Sequence, residues 1–353
     1  MQNNSKFVLV GSFLGGLLGL NALLLLSNNI TQIINPYDSS FSGLEAQTNR
    51  FGARDLLAAK YHHAVQTKKP YNIGIFGNSR SVMVSGSDIN LTTSEFFNFS
   101  VGGTSFIQSV TLLEELAKQG VAPKTAIISI DHPELQFIEF LYFPEPILRP
   151  IEYANDFLTV LRSDEGTHKQ RQSDAVKVVD WAQKRSWARF RQNWNVDTLS
   201  RRIGYFYKAS FDQKNNDNNS TYRIDGSREQ ILPERQVSFA GFKPGSSAFR
   251  AHNRYIFIGL KRLAVLMRRN NIRIVVYESP LAPEIIQFRA ENVSPQALES
   301  RRWFSTGCHD STVECISAPQ LPSIPNFYWP DCCHPPAKIL GKFLERFVHA
   351  PTT

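Results

Sequence analysis

The sequence predicts an α/β fold, a doubly wound parallel sheet, and three observations carry that expectation. Short, largely apolar runs rich in β-branched and aromatic residues recur at residues 73–76, 125–130 and 273–277, the composition of strands buried on both faces. Longer stretches with helical spacing separate them, at 105–120, 247–270 and 336–348. Turn residues mark the junctions, with Gly77-Asn78 after the first run and Ser279-Pro280 after the last. A chain of 353 residues is long enough for one large core carrying a sizeable insertion.

Taken in order, residues 50–66 have helical spacing and lead into a first strand at 73–76, which Gly77-Asn78 breaks. The adjacent His62 and His63 point in diverging directions on a helix and read as surface histidines rather than metal ligands. Residues 96–98 form a short second strand, 105–120 a helix stopped by Gly120, and 125–130 a third strand. An amphipathic helix at 247–270, closed by Arg268 and Arg269, precedes the fourth strand at 273–277. Ser294-Pro295 opens another helix, with Ser as N-cap and Pro in the first helical position. A fifth strand at 312–316 and a last helix at 336–348 complete the alternation. This is the order expected of a flavodoxin-like sheet.

The rhythm lapses between the third and fourth strands. Residues 135–246 form an insertion, largely helical, in which Trp181, Trp187 and Trp194 alternate with Lys and Arg. It reads as a cap or wall over the sheet, packed on the domain or offering a surface to sugars or lipid headgroups. At the other extreme, residues 7–26, bounded by Phe7 and Leu26, are almost wholly apolar behind Lys6. At about 1.5 Å per residue that length crosses a bilayer, and no small-x-small cleavage site follows. The expected organisation is a single-pass signal anchor (1–27), a polar tether (28–49) and one domain (50–353) on the extracytoplasmic side of the cytoplasmic membrane. Gly11, Gly15 and Gly19 share a face of the anchor, a pattern that packs a second membrane helix.

The formal charge of +8 suits an anionic neighbour. Without a nucleic-acid motif beside it, a membrane surface or acidic glycan is the expected partner, set against a merely solvated basic surface. Cys308, Cys315, Cys332 and Cys333 are even in number and clustered late, which beyond an anchor fits disulfides in an oxidising compartment. Their spacing matches no zinc motif, so no metal is expected. Cys332 and Cys333 are adjacent and rarely bond each other; one or both are expected to pair with Cys308 or Cys315.

Chemistry is concentrated in three distant stretches. Gly77-Asn78-Ser79 sets a hydroxyl on a bend just past a strand, where a nucleophile is wanted; the plain alternative is an ordinary turn. Asn98-Phe99-Ser100-Val101-Gly102-Gly103 follows the second strand. Asp331-Cys332-Cys333-His334 precedes the last helix, a pair in which a carboxylate can orient an imidazole. Together the three stretches resemble the SGNH (GDSL-like) hydrolase superfamily, with Asn78 where Asp is more usual. The family's third block, Gly-x-Asn-Asp, has no clear counterpart: Ile128-Ser129-Ile130-Asp131-His132 stands in its place.

The resemblance implies Ser79 as nucleophile, His334 as base, Asp331 as its orienting partner, and the Ser79 and Gly103 amides as oxyanion donors, with Asn98 in the second block. It implies no cofactor. Arg80 either binds an anionic group of the substrate or pairs with a nearby acid, and Asp131 and His132 either assist or hold structure. An anchored chain with a large insertion and a degenerate third block is similar to envelope accessory proteins of polysaccharide O-acetylation or teichoic-acid D-alanylation, which work beside a membrane-bound O-acyltransferase. Two functions follow: a serine esterase or O-acyltransferase acting on envelope glycan or lipid, or a non-catalytic assembly or glycan-binding protein that keeps the fold.

Overall fold

The computed structural model describes residues 53–68, 70–102, 104–130, 223–228, 250–280, 282–283, 295–311, 313–317, 324 and 334–348, with Gly16 and Gly19. Within them lies one sheet of five strands: β1 (Ile73–Phe76), β2 (Phe96–Asn98), β3 (Thr125–Ile130), β4 (Arg273–Glu278) and β5 (Glu314–Ile316). Their spatial order is β2-β1-β3-β4-β5, and every neighbouring pair is parallel. The helices are α1 (Ala53–Thr67), α2 (Phe106–Lys118), α3 (Arg250–Asn270), α4 (Pro295–Ser311) and α5 (Ala337–Val348), with a 3₁₀ turn at Gly86–Ile89.

The strands are apolar on both sides because both sides are covered. Ala126, Ile128, Ile274 and Val276 face a core completed by Leu57 of α1, Leu113 and Leu116 of α2, Leu260 and Leu263 of α3, and Phe304 of α4. The alternate residues Ile73, Ile75, Ile127, Val275 and Tyr277 face a second core completed by Val84, Ile89, and Leu340, Phe343 and Leu344 of α5. A period of two along each strand thus feeds two layers. The expected α/β class and parallel sheet are observed.

Boundaries shift for local reasons. α2 begins at Phe106 because Ser105 caps it: the Ser105 hydroxyl accepts from the Gln108 amide, and the Gln108 side chain accepts from the Ser105 amide at 2.6 Å. β4 extends to Glu278, whose register partner is Ile130. β5 begins only at Glu314, since α4 continues to Ser311.

The direction of α5 matters for the site. Near its C-terminal end, the Phe347 carbonyl accepts a 2.6 Å bond from Arg273, the first residue of β4. The helix therefore ends at the N-terminal edge of the sheet and starts toward the C-terminal edge. Gly341 allows it to lie directly on Asp88, where a Cβ would overlap the backbone.

Cys308, at the end of α4, and Cys315, on β5, are bonded to each other with Cα atoms 6.0 Å apart. This corrects the expected pairing of either one with Cys332 or Cys333. The chain reverses between α4 and β5, so the partner seven residues away closes the shorter loop. Cys332 and Cys333 lie outside the described residues. So do the proposed anchor (save Gly16 and Gly19, both helical and exposed), the tether, and the insertion except for residues 223–228. Among the described residues no helix is long and apolar enough to cross a membrane.

Candidate active site

In the order β2-β1-β3 the chain leaves β1 to one side and returns to the other, so a crevice forms at the C-terminal ends of these strands. Ser79 stands there. β1 ends at Phe76, and Gly77 follows where nothing larger fits: a Cβ would overlap the hydroxyls of Ser81 and Ser129. Asn78 then folds the chain into a turn. Its side-chain oxygen accepts from the Arg80 amide at 3.0 Å, and its carbonyl accepts from the Ser81 and Val82 amides, both at 3.1 Å. Asp and Asn make this Asx-type turn equally well. Ser79 is half-buried at the tip, while Asn78 and Arg80 on either side are buried.

The segment leaving β2 forms the wall of the crevice. Phe99 donates to the Ile75 carbonyl at 2.7 Å and Val101 to the Gly77 carbonyl at 3.0 Å, extending the strand pairing beyond both strand ends. Gly102 then faces the serine: a Cβ there would stand 3.8 Å from that of Ser79. Asn98 is fully buried, and its side chain is engaged by backbone. It donates to the carbonyls of Ser81 at 2.9 Å and Val84 at 2.8 Å and accepts from the Ser100 amide at 2.9 Å. Its contribution is to tie the turn after β1 to the segment that leaves β2. Beneath, the Ser81 hydroxyl donates to Ser100 Oγ at 2.9 Å and pairs with Ser129 Oγ at 3.1 Å, linking the exits of β1, β2 and β3.

Two groups absent from the sequence reading complete this base. Lys60 of α1 is fully buried, and its ammonium donates to the carbonyls of Asn98 at 2.8 Å, Ser100 at 2.5 Å and Gly226 at 2.7 Å. Burial holds its pKa well below that of a free lysine, against the nearby Asp225, which acts in the opposite direction. Asp225 lies in residues 223–228, the one described piece of the insertion. One carboxylate oxygen accepts from the Gly86 amide at 2.8 Å, and the other accepts from the amide and hydroxyl of Ser227. The Asp225 carbonyl accepts from the Asn98 amide at 2.7 Å, covering a donor on the edge strand. The signal for Lys60 was present: Leu57, Lys60, Tyr61 and Ala64 are all buried and stand at helical spacing, so a lysine interrupts an apolar stripe.

His334 is partly buried, three residues ahead of α5. The direction of α5 sends that approach toward the C-terminal edge, the edge on which Ser79 stands. Asp331, Gly103, Asp131 and His132 lie outside the described residues. His63 is partly buried, stacked on Phe97 at 5.1 Å and within 3.0 Å of the Tyr71 hydroxyl, rather than free on the surface. Among the described residues no cluster of His, Cys, Asp and Glu has the makings of a metal site.

Compared with protein-family models, with curated proteins and with solved structures, the chain matches none.

Proposed function

We propose that the protein is a serine esterase or O-acyltransferase of the cell envelope, built on a flavodoxin-like, SGNH-like sheet and working through an acyl-serine. The observation that carries this reading is the setting of Ser79: half-exposed at the tip of a turn past β1, at the crevice between β2 and β3, with Gly102 against it. In this reading His334 takes the Ser79 proton as the oxygen attacks an ester carbonyl, and Asp331 steadies the imidazolium. The Ser79 and Gly103 amides hold the oxyanion. The leaving alcohol departs with the proton from His334, and water or an acceptor hydroxyl then releases the acyl group. The substrate is an acylated envelope glycan or lipid. The domain is held outside the cytoplasmic membrane by residues 7–26, beside a membrane-bound O-acyltransferase.

One departure favours the non-catalytic alternative, an assembly or glycan-binding protein: residues 128–132 lack the asparagine of the family's third block. A fluorophosphonate probe separates the two readings. Wild type should be labelled at Ser79, and Ser79→Ala should not be labelled while keeping its circular dichroism and melting temperature. No labelling of the folded wild type, or equal labelling of Ser79→Ala, rejects the enzyme.

A further inference from the structure

We infer that Lys60 is a positioning residue for the Ser79 site, a buried strut that fixes the wall at residues 98–102 by fastening it to the 223–228 segment of the insertion. The inference rests on the reading of Ser79 as nucleophile. Lys60 touches neither Ser79 nor the crevice in any described contact; it acts through backbone. An ammonium has three N–H donors, and the carbonyls of Asn98, Ser100 and Gly226 take all three. Two of these carbonyls belong to the same peptides whose amides, Phe99 and Val101, bond to β1, on the way to Gly102. The third belongs to the insertion, so a single charged group couples the wall to a segment more than a hundred residues away in the chain.

The opposite side of the joint is equally specific. Gly226 has a φ of +79° and packs on Phe97, and a Cβ there would overlap the Asn98 carbonyl. Asp225 is the charged group facing Lys60, and its carboxylate also grips the Gly86 amide beyond the nucleophile turn. The segment therefore contacts both arms of the site, the turn after β1 and the wall after β2. An apolar side chain at position 60 would fill the same space and leave three carbonyls without their donor. The wall would then relax by a fraction of an ångström, which is enough to misplace an oxyanion donor.

The test uses the full-length chain and two variants, Lys60→Met and Gly226→Ala; the second disturbs the joint from the insertion side if the first fails to fold. Fluorophosphonate labelling of Ser79 is resolved into initial binding and covalent reaction, and hydrogen exchange is followed at the Asn98 and Gly86 amides. Expected are about tenfold or greater losses in the covalent step with little change in initial binding, and faster exchange at both amides. The pH profile of the wild-type covalent rate should also contain an ionisation that Lys60→Met lacks, which a mere stability defect would not remove. Folded variants that react at the wild-type rate overturn the inference, as does slower labelling without faster exchange at Asn98. If wild type itself is not labelled, the nucleophile reading fails and the positioning role falls with it. Exchange at Asn98 then reports separately whether the joint exists.

Discussion

The edge of the sheet at β2 is sealed by buried polar groups, whereas the edge at β5 is sealed by apolar packing and a disulfide. At β2, Lys60, Asn98, Asp225 and the hydroxyls of Ser81, Ser100 and Ser129 are all buried or nearly so, and each has named partners. At β5, Phe304, Val313 and Ile316 pack on the cores, Cys308 and Cys315 close the turn, and the ion pair of Arg273 with Glu314 lies toward solvent. Apolar contacts tolerate small shifts, but a hydrogen-bonded network has one geometry in which every group is satisfied. The edge that carries the turn at Ser79 is the one built from polar groups.

The sharpest way to break the polar edge is Asn98→Ala. It removes the donor to the Val84 carbonyl and the acceptor for the Ser100 amide, both buried. A loss of about 3 kcal/mol follows, larger than an ordinary substitution, read as a lower urea midpoint. A midpoint within experimental error of wild type would show that the network is not what holds this edge. The matching cut at the other edge is the double variant Cys308→Ser, Cys315→Ser. The loop it opens spans seven residues, so the expected cost is about 2 kcal/mol. Reduction of the wild type should reproduce it.

These contrasts also explain what could be read in advance. Strands such as Ile73–Phe76 and Thr125–Ile130 were legible to the residue because burial on both faces demands unbroken apolar runs. The bend at Ser79 was legible because Gly77 and Asn78 mark it locally. The support beneath it was marked only by a lysine in an apolar stripe, without its partners. Lys60 sits at a helical position that the pattern alone assigns to an imperfect apolar face, and its partners are 38, 40 and 166 residues distant. Asp225-Gly226-Ser227 carries no local mark of its role, because its partners Asn98, Gly86 and Lys60 lie on distant parts of the chain. The cysteine pairing shows the reverse: the local partner won, where the adjacency of Cys332 and Cys333 pointed to a distant one.

A third prediction uses pH to isolate the polar edge. Burial lowers the pKa of Lys60 in the folded chain below its ordinary 10.5. Below the folded value both states carry the proton, and the burial penalty stands in full. As pH rises through the folded value toward 10.5 the native state loses its proton first, so the penalty is relieved and stability rises. The contribution is complete above the unfolded value and is lost as pH falls through the folded one. The stability of wild type relative to Lys60→Met should therefore increase with pH across that window, by at most about 1.4 kcal/mol per pH unit. Tyr71, pushed up to about 12 by burial against the opposing effect of Thr67, works in the opposite direction in alkali, but it is present in both proteins and cancels. A flat difference would mean that Lys60 keeps the same pKa folded and unfolded.

The smallest effect belongs to the outer ion pair, and its smallness is what gives the comparison force. Arg273 and Glu314 approach to 2.9 Å, but the Glu314 side chain is 44% exposed. Water already screens such a pair, and holding two side chains in one geometry costs entropy. Arg273 also donates to the Phe347 carbonyl, so removing the carboxylate leaves the guanidinium with a partner and in contact with solvent. Glu314→Gln should cost no more than about 0.5 kcal/mol, and raising the salt concentration should reduce even that difference. Nothing at the crevice depends on it, so labelling of Ser79 should proceed at the wild-type rate. A loss comparable to that of Asn98→Ala would erase the distinction between the two edges, because a single exposed charge at β5 would then matter as much as the buried network at β2.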